Sequence, residues 1–326
     1  MKNVLVSPLN WGSGHATRMV PLINWLSIRA NVTIGGNGES IALLKKLFPN
    51  LEVVSIPGVE IKLGNTTWVN YLLLALQLPM FLWAKRRERD WLNKNAEQFD
   101  VVISDNRYGL FHQSIRSIIV THQTAPPFPI FKKIGHSVIK KWLTKFNEVW
   151  IPDNEFIGLT KPFWQELNGN PTVQFIGWLS AWEQNFTVEE DYWLILASGP
   201  EPGKSNFVST IKSKVNIKVK VADGLVGTEL YELIAKAKGI IAKAGYSTIM
   251  DVLLHKKKAL LIPTPGQIEQ EQLAKNTWLK DQLAILNWNE VRATSKLNLE
   301  NARTPSNIDM PNVWQNVLLT IIDEND

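Results

Sequence analysis

The opening residues MKNVLVSPLNWGSGHATRMVPLINWL (1–26) decide the fold. Val4–Ser7 is an apolar run of strand length. Asn10–Arg18 follows, with Gly12 and Gly14 flanking Ser13 ahead of His15, and a helix-length amphipathic segment begins near Ala16. A strand, a glycine-rich turn and a helix in that order form the first unit of an alternating βα chain.

The alternation continues. Strands are expected at Val32–Ile34, Glu52–Ser55, Val101–Ser104, Ser117–Thr121, Glu148–Ile151 and Val173–Ile176, with helices beginning near Glu39 and Phe131 and a long one between Trp68 and Phe99. The pattern then restarts with Trp193–Ala197, Ile217–Val221, Gly239–Ala242, Ala259–Pro263 and Ala284–Asn287, separated by helices near Glu201, Thr228, Ser247 and Glu269. The expected fold is α/β, with two Rossmann-like doubly wound domains facing a cleft. Residues 1–177 form the first domain and 178–308 the second. A last helix, Val313–Ile322, lies in the closing segment 309–326 and is expected to pack toward the first domain.

Composition narrows the classes. Of 326 residues, 45% are apolar and 20% charged, which excludes disorder and low complexity. The chain has no cysteine, so disulfide scaffolds, thiol catalysis and zinc–thiolate sites are excluded. The run Val4–Val6 is too short for a signal h-region, and the expectation is a cytoplasmic protein. The longest apolar stretch, Leu72–Trp83, has 12 residues against the roughly 20 a bilayer span needs. Residues 1–160 hold 18 Lys/Arg against 11 Asp/Glu, whereas 161–326 hold 17 against 19. The basic first half suits an anionic partner.

In doubly wound sheets, ligands sit beyond the carboxyl ends of the strands. His15 falls there, on the first turn of a helix, where an imidazole can take a proton near neutral pH. An incidental histidine beside a glycine turn reads the same locally. Asp105 opens the loop after the strand Val101–Ser104 and either orients His15 or caps a following helix. His122 and Gln123 follow the next strand and face the same crevice, while His112, His136 and His255 fall within expected helices.

In the second half, Ser198-Gly199-Pro200 precedes a helix N-terminus and offers a diphosphate cradle. Lys243-Ala244-Gly245-Tyr246-Ser247-Thr248-Ile249-Met250-Asp251 is a strand-to-helix turn. Thr248 and Asp251 share a helical face there, and the carboxylate could take both ribose hydroxyls or simply favour the helix start. Pro263–Gln272 brings Glu269 and Gln270, polar groups that can hydrogen-bond sugar hydroxyls or serve as ordinary first-turn residues.

Taken together these loops resemble the GT-B glycosyltransferases, family 28 above all. Gly12-Ser13-Gly14-His15 resembles that family's first glycine-rich loop. Lys243 to Asp251 resembles its Arg-Ser-Gly-Ala-x-Thr-x-x-Glu signature, with Lys243 for the arginine and Asp251 for the glutamate, and Ile262–Gln272 its following loop. The resemblance implies an inverting, metal-independent transfer from a UDP-sugar, with no cofactor, to a lipid-linked or other glycan acceptor. It places His15 as base with Asp105 behind it, and Gly12, Ser13, Gly14, Arg18, His122 and Gln123 on the acceptor side. Ser198, Gly199, Pro200 and Thr248 would meet the diphosphate, Asp251 the ribose, and Glu269 and Gln270 the sugar, with Lys243, Gly245 and Ser247 in the same nucleotide-sugar site. The absence of an Asp-x-Asp motif agrees with chemistry that needs no metal. A UDP-sugar epimerase on the same architecture and a non-catalytic nucleotide- or glycan-binding protein remain open alternatives.

Leu72–Trp83 runs into Lys85-Arg86-Arg87-Glu88-Arg89, and Lys132, Lys133, Lys140, Lys141 and Lys145 add charge on a second amphipathic segment. Apolar surface beside cations suits peripheral binding to an anionic leaflet, here the inner face of the plasma membrane in cell-envelope synthesis, although either segment alone reads equally as a core helix ending in a solvated basic turn. Nucleic acid is not expected as a partner, since neither an RNA-binding signature nor a helix-turn-helix is present.

Overall fold

The computed structural model describes residues 1–60, 67–122, 132–155, 159, 171–182, 189–199, 201–306 and 313–322. The first half forms β1 (Asn3–Pro8), α1 (Ser13–Ser27), β2 (Asn31–Gly36), α2 (Gly38–Leu47), β3 (Glu52–Ser55), α3 (Thr67–Asn95), β4 (Val101–Asp105), β5 (Arg116–Val120), α4 (Lys132–Leu143), β6 (Glu148–Ile151) and β7 (Thr172–Phe175). These strands make one parallel sheet in the order β3-β2-β1-β4-β5-β6-β7.

The second half forms β8 (Glu190–Leu196), α5 (Gly203–Lys214), β9 (Val219–Ala222), α6 (Thr228–Lys236), β10 (Ala237–Lys243), α7 (Tyr246–Leu254), β11 (Ala259–Ile262), α8 (Ile268–Leu273), α9 (Thr277–Gln282), β12 (Ala284–Ile285) and α10 (Trp288–Ala293). Its sheet, also parallel, runs β12-β11-β10-β8-β9. Central strands are covered on both faces, which is why they read as unbroken apolar runs: Val4, Leu5 and Val6 in β1 and Ile240, Ile241 and Ala242 in β10 are wholly buried.

Strand order reverses between β1 and β4 in the first sheet, and between β8 and β10 in the second. A crevice opens at each reversal, because successive helices leave the sheet on opposite sides there. Asp105 ends β4 and His15 stands at the start of α1, just beyond β1; Ser198–Gly199 follow β8, and Gly245–Thr248 lead from β10 into α7. A final helix, α11 (Val313–Ile322), puts Trp314, Val317, Leu318 and Ile321 into the core of the first sheet beside α1. Arg116 of β5 ties it there through the Thr320 carbonyl at 3.0 Å.

The connection from β4 to β5 departs from the expected pattern. It contains no helix, so His112 lies instead in a short antiparallel bridge to Ile115. The loop is clamped onto α3: the Glu88 carboxylate accepts from Arg107 Nε and from Gly109 N–H, each at 3.1 Å, and all three residues meet in the interior. A helical turn there would break this clamp. His136 does lie within α4, and His255 ends α7 as its C-cap.

Candidate active site

Pro8 pairs with Asp105 in the β1–β4 register, so the two strand ends lie side by side. Gly12 takes a φ of 82°, which lets the chain turn from β1 into α1. His15 then stands on the first helical turn with Nδ1 3.0 Å from Asp105 Oδ2. Arg18, one turn further along α1, donates Nε–H to Asp105 Oδ2 at 2.7 Å and forms a second contact from Nη2 to Oδ1. Arg18 Nη2 also lies 2.8 Å from His15 Nδ1, and Nη1 lies 2.6 Å from His122 Nδ1. Asp105 is completely buried and Arg18 nearly so. No helix follows β4, so Asp105 has no capping role.

The charges follow from this packing. Burial by itself would raise the Asp105 carboxyl, but Arg18 and His15 outweigh it and hold it at about 2. For His15 burial is the largest influence and lowers its pKa; Arg18 adds to that, and Asp105 pulls the other way. His15 is therefore a neutral imidazole near neutral pH, as a base requires.

Residues of the second half of the chain pack against this group. The His122 ring stacks on Tyr246, at 4.0 Å between centroids and 10° between planes, and its Nε2 pairs with Glu269 Oε1 of α8. Burial opposes ionisation of Glu269, yet His122, His15 and Arg18 keep its carboxyl below the ordinary value. Tyr246 donates its hydroxyl to the Pro152 carbonyl at 2.9 Å, and Ser247 donates to the Gly14 carbonyl at 3.2 Å. Gly14 is fitted to this approach, since a Cβ there would lie 3.1 Å from Ser247 Oγ.

Other expected residues are placed as follows. Lys243 ends β10 and donates to the Ser198 carbonyl at 2.7 Å, shaping the loop after β8; burial lowers its pKa. Ser198 and Gly199 are exposed, and Gly199 has a φ of 96°. Gly245 precedes α7, with Ser247 and Thr248 half-buried in its first turn. The Gln270 side-chain oxygen accepts from Thr264 N–H at 2.8 Å and Glu271 accepts from Gly266 N–H at 2.9 Å, so both brace the 263–267 turn. Gln123 and Pro200 lie outside the described residues.

Asp251 is buried, and its carboxyl takes a hydrogen bond from Ser180, in the segment that joins the two sheets. Burial pushes it up to about 7, against the pull of that bond. The Ser180 hydroxyl also lies 3.0 Å from His255 Nε2, whose pKa burial lowers to about 4. Sharing a helical face with Thr248 therefore does not by itself open Asp251 to the cleft. Among the described residues no cluster of three or more His, Asp or Glu could hold a metal ion.

Two contributors escape a reading of the sequence. Asn106, next to Asp105, takes a φ of 54°, and both polar atoms of its buried amide have no hydrogen-bond partner. Asn70 of α3 donates to the Gly266 carbonyl at 2.5 Å, joining the first domain to the turn before α8. An asparagine next to a strand-end aspartate is a local signal for the first. The second depends on a partner 196 residues away and leaves no local signal.

Comparison with known proteins places the fold. Residues 180–305 match the glycosyltransferase family 28 C-terminal domain. The spinosyn forosaminyltransferase SpnP superposes with a TM-score of 0.61 at 14% identity, over 99% of this chain and 100% of that one. The chain is a GT-B glycosyltransferase with a family 28 C-terminal domain. The transferase is also similar to the spinosyn rhamnosyltransferase SpnG, with a TM-score of 0.59 and 13% identity over 99% of this chain and 92% of that one. UGT89C1 of Arabidopsis thaliana complexed with UDP-L-rhamnose gives 0.55 and 14% over 99% and 90%. At these identities the likeness is one of fold. No curated protein matches the transferase in sequence.

The basic and apolar segments of the first domain also resolve. Trp68, Leu72, Leu76 and Trp83 of α3 are 71%, 52%, 68% and 55% exposed. Within the cluster after them, only Arg86 and Arg87 are exposed. Lys85 lies over the Trp142 ring at 3.9 Å, and Arg89 over Phe111 at 3.7 Å. Lys133, Lys140, Lys141 and Lys145 are exposed along and just after α4. Among the described residues no helix is long and apolar enough to cross a membrane.

Proposed function

We propose that the transferase moves a sugar from a UDP-sugar to a hydroxyl of a lipid-linked or other glycan acceptor, with inversion and without a metal. The observation that carries this is the pair of His15 with buried Asp105 at the reversal of the first sheet, facing α7 and α8 of the family 28 domain. His15 Nε2 takes the proton of the acceptor hydroxyl, and the oxygen attacks the anomeric carbon from the face opposite the nucleotide. The bond from that carbon to the diphosphate breaks, and UDP leaves with its electron pair. Asp105 balances the imidazolium that forms.

The donor rests on the second domain. The free N–H groups at the start of α7, the Ser247 and Thr248 hydroxyls, Lys243 and the Ser198–Gly199 loop meet the diphosphate, where they stabilise the leaving charge. Glu269 and Gln270 meet the sugar. Asp251 meets the ribose once a hydroxyl of that ligand takes the place of Ser180. UGT89C1 was crystallised with UDP and with UDP-L-rhamnose, which supports a nucleotide-sugar donor for this fold. The exposed apolar stripe of α3, beside Arg86, Arg87 and the α4 lysines, supports peripheral contact with the cytoplasmic leaflet.

The test is His15→Ala. UDP affinity should stay nearly unchanged while turnover falls at least about a hundredfold, as expected on losing a general base. Undiminished turnover would remove His15 from that role.

A further inference from the structure

Five side chains cross the cleft without a gap: Glu269, His122, Arg18, Asp105 and His15. Their proton positions can be deduced from donor chemistry. A guanidinium has no acceptor, so His122 Nδ1, 2.6 Å from Arg18 Nη1, must be the bare nitrogen. The His122 proton is then on Nε2 and is given to Glu269. His15 Nδ1 faces a choice, because Asp105 Oδ2 at 3.0 Å can only accept from it and Arg18 Nη2 at 2.8 Å can only donate to it. With Nδ1 protonated toward Asp105, Nε2 is bare and can act as the base. With Nδ1 bare toward Arg18, Nε2 carries the proton and cannot.

We propose that Arg18 and His122 are positioning residues that form a relay through which Glu269, in the donor domain, sets the tautomer of His15 in the acceptor domain. This rests on the reading of His15 as base and Glu269 as a sugar contact. An anionic Glu269 polarises His122, enriches its Nδ1 and draws Arg18 toward it, leaving His15 Nδ1 to Asp105. Weakening the Glu269 end lets Arg18 lean on His15 Nδ1 and favours the tautomer that cannot accept a proton. The base is thereby tied to the state of the donor domain. The groups facing His15 are Asp105, Arg18 and His122; those facing His122 are Arg18, Glu269 and Tyr246.

With only five histidines in the chain, ring ¹⁵N NMR titration of the full-length protein without ligand reads the relay directly. Glu269→Gln should lower the His15 midpoint by about half a pH unit or more and raise its Nε2–H tautomer fraction, the size expected for coupled neighbours. In a His122→Phe background, which keeps a ring to stack on Tyr246, the same substitution should leave His15 unmoved; His122→Ala serves if the phenyl ring mispacks. An unmoved His15 in Glu269→Gln overturns the proposal. So does an equal shift with and without His122, which would mark direct action of the charge through space. Because no turnover is needed, failure of the relay is separable from failure of the transferase mechanism, which the His15→Ala kinetics test.

Discussion

Replacing Asp105 by Asn tests the charge arrangement at the centre of the site. Asp105 is fully buried and is the anion to which Arg18, also buried, is paired through two contacts. Its carboxyl stands at about 2 in the fold against an ordinary 3.8. At about 1.4 kcal/mol per pH unit, that displacement amounts to roughly 2–3 kcal/mol of stability. Breaking a buried pair and stranding the other charge typically costs about 3–5 kcal/mol, so the two routes agree near 3. For a domain of this size that is a fall in Tm of roughly 6–12 °C.

The pH dependence carries a definite sign. Between about pH 2 and 4 the unfolded chain binds a proton at this position that the native state does not. The contribution is therefore complete above about pH 4–5 and is lost as pH falls through about 2. Calorimetry from pH 7 downward should show the wild type losing an advantage over Asp105→Asn in that window, and the variant should also turn over slowly because nothing balances its imidazolium. A Tm within about 2 °C of wild type at pH 7, with normal turnover, would refute the arrangement.

Asp251 predicts the opposite pH sign. Burial raises it to about 7, so the native state keeps a proton that the unfolded chain has lost, and this group destabilises the fold increasingly from about pH 4 to 7. Asp251→Asn should then melt above wild type at pH 8 and level with it at pH 4, and equal melting at both would show the carboxyl is not desolvated; UDP titration of Asp251→Ala should show weaker binding, with intact affinity removing the ribose assignment. Gly109→Ala should cost about 1–3 kcal/mol in urea unfolding, since a Cβ would collide with the Lys85 carbonyl and lie 2.6 Å from Glu88 Cβ; an unchanged midpoint would contradict the clamp. Leu76→Glu on the exposed stripe of α3 should change stability by less than about 0.5 kcal/mol yet abolish co-sedimentation with phosphatidylglycerol vesicles. A wild type that fails to sediment with them would end the membrane proposal.

The architecture was legible because its strands are buried on both faces. Val4–Val6, Val101–Ile103 and Ile240–Ala242 announce themselves as apolar runs, and the turns after them carry glycines and hydroxyls where ligands approach. His15 and Asp105 were legible as strand-end residues, although 90 positions separate them. Arg18 was legible only as a neighbour of His15. Its pairing with Asp105 and contact with His122 are tertiary facts that no local pattern encodes. The helix expected at His112 fails for a similar reason, since Glu88 of α3 holds the Arg107 side chain and the Gly109 N–H together in a turn. For Asp251, helical spacing gave the face shared with Thr248, but only the packed structure shows Ser180 on its carboxyl. The basic run 85–89 reads as one cluster, whereas stacking on Trp142 and Phe111 withdraws Lys85 and Arg89 from it.

The central claim is that the family 28 domain holds a nucleotide sugar against the His15–Asp105 pair. Thermal denaturation of the purified transferase with UDP, other nucleoside diphosphates and a panel of UDP-sugars tests it most directly. A ligand at about 100 times its Kd adds roughly 2.7 kcal/mol of stability, which is readily visible as a rise in Tm. Selective stabilisation by UDP and by one UDP-sugar is the predicted result; no stabilisation by any nucleotide would contradict the account.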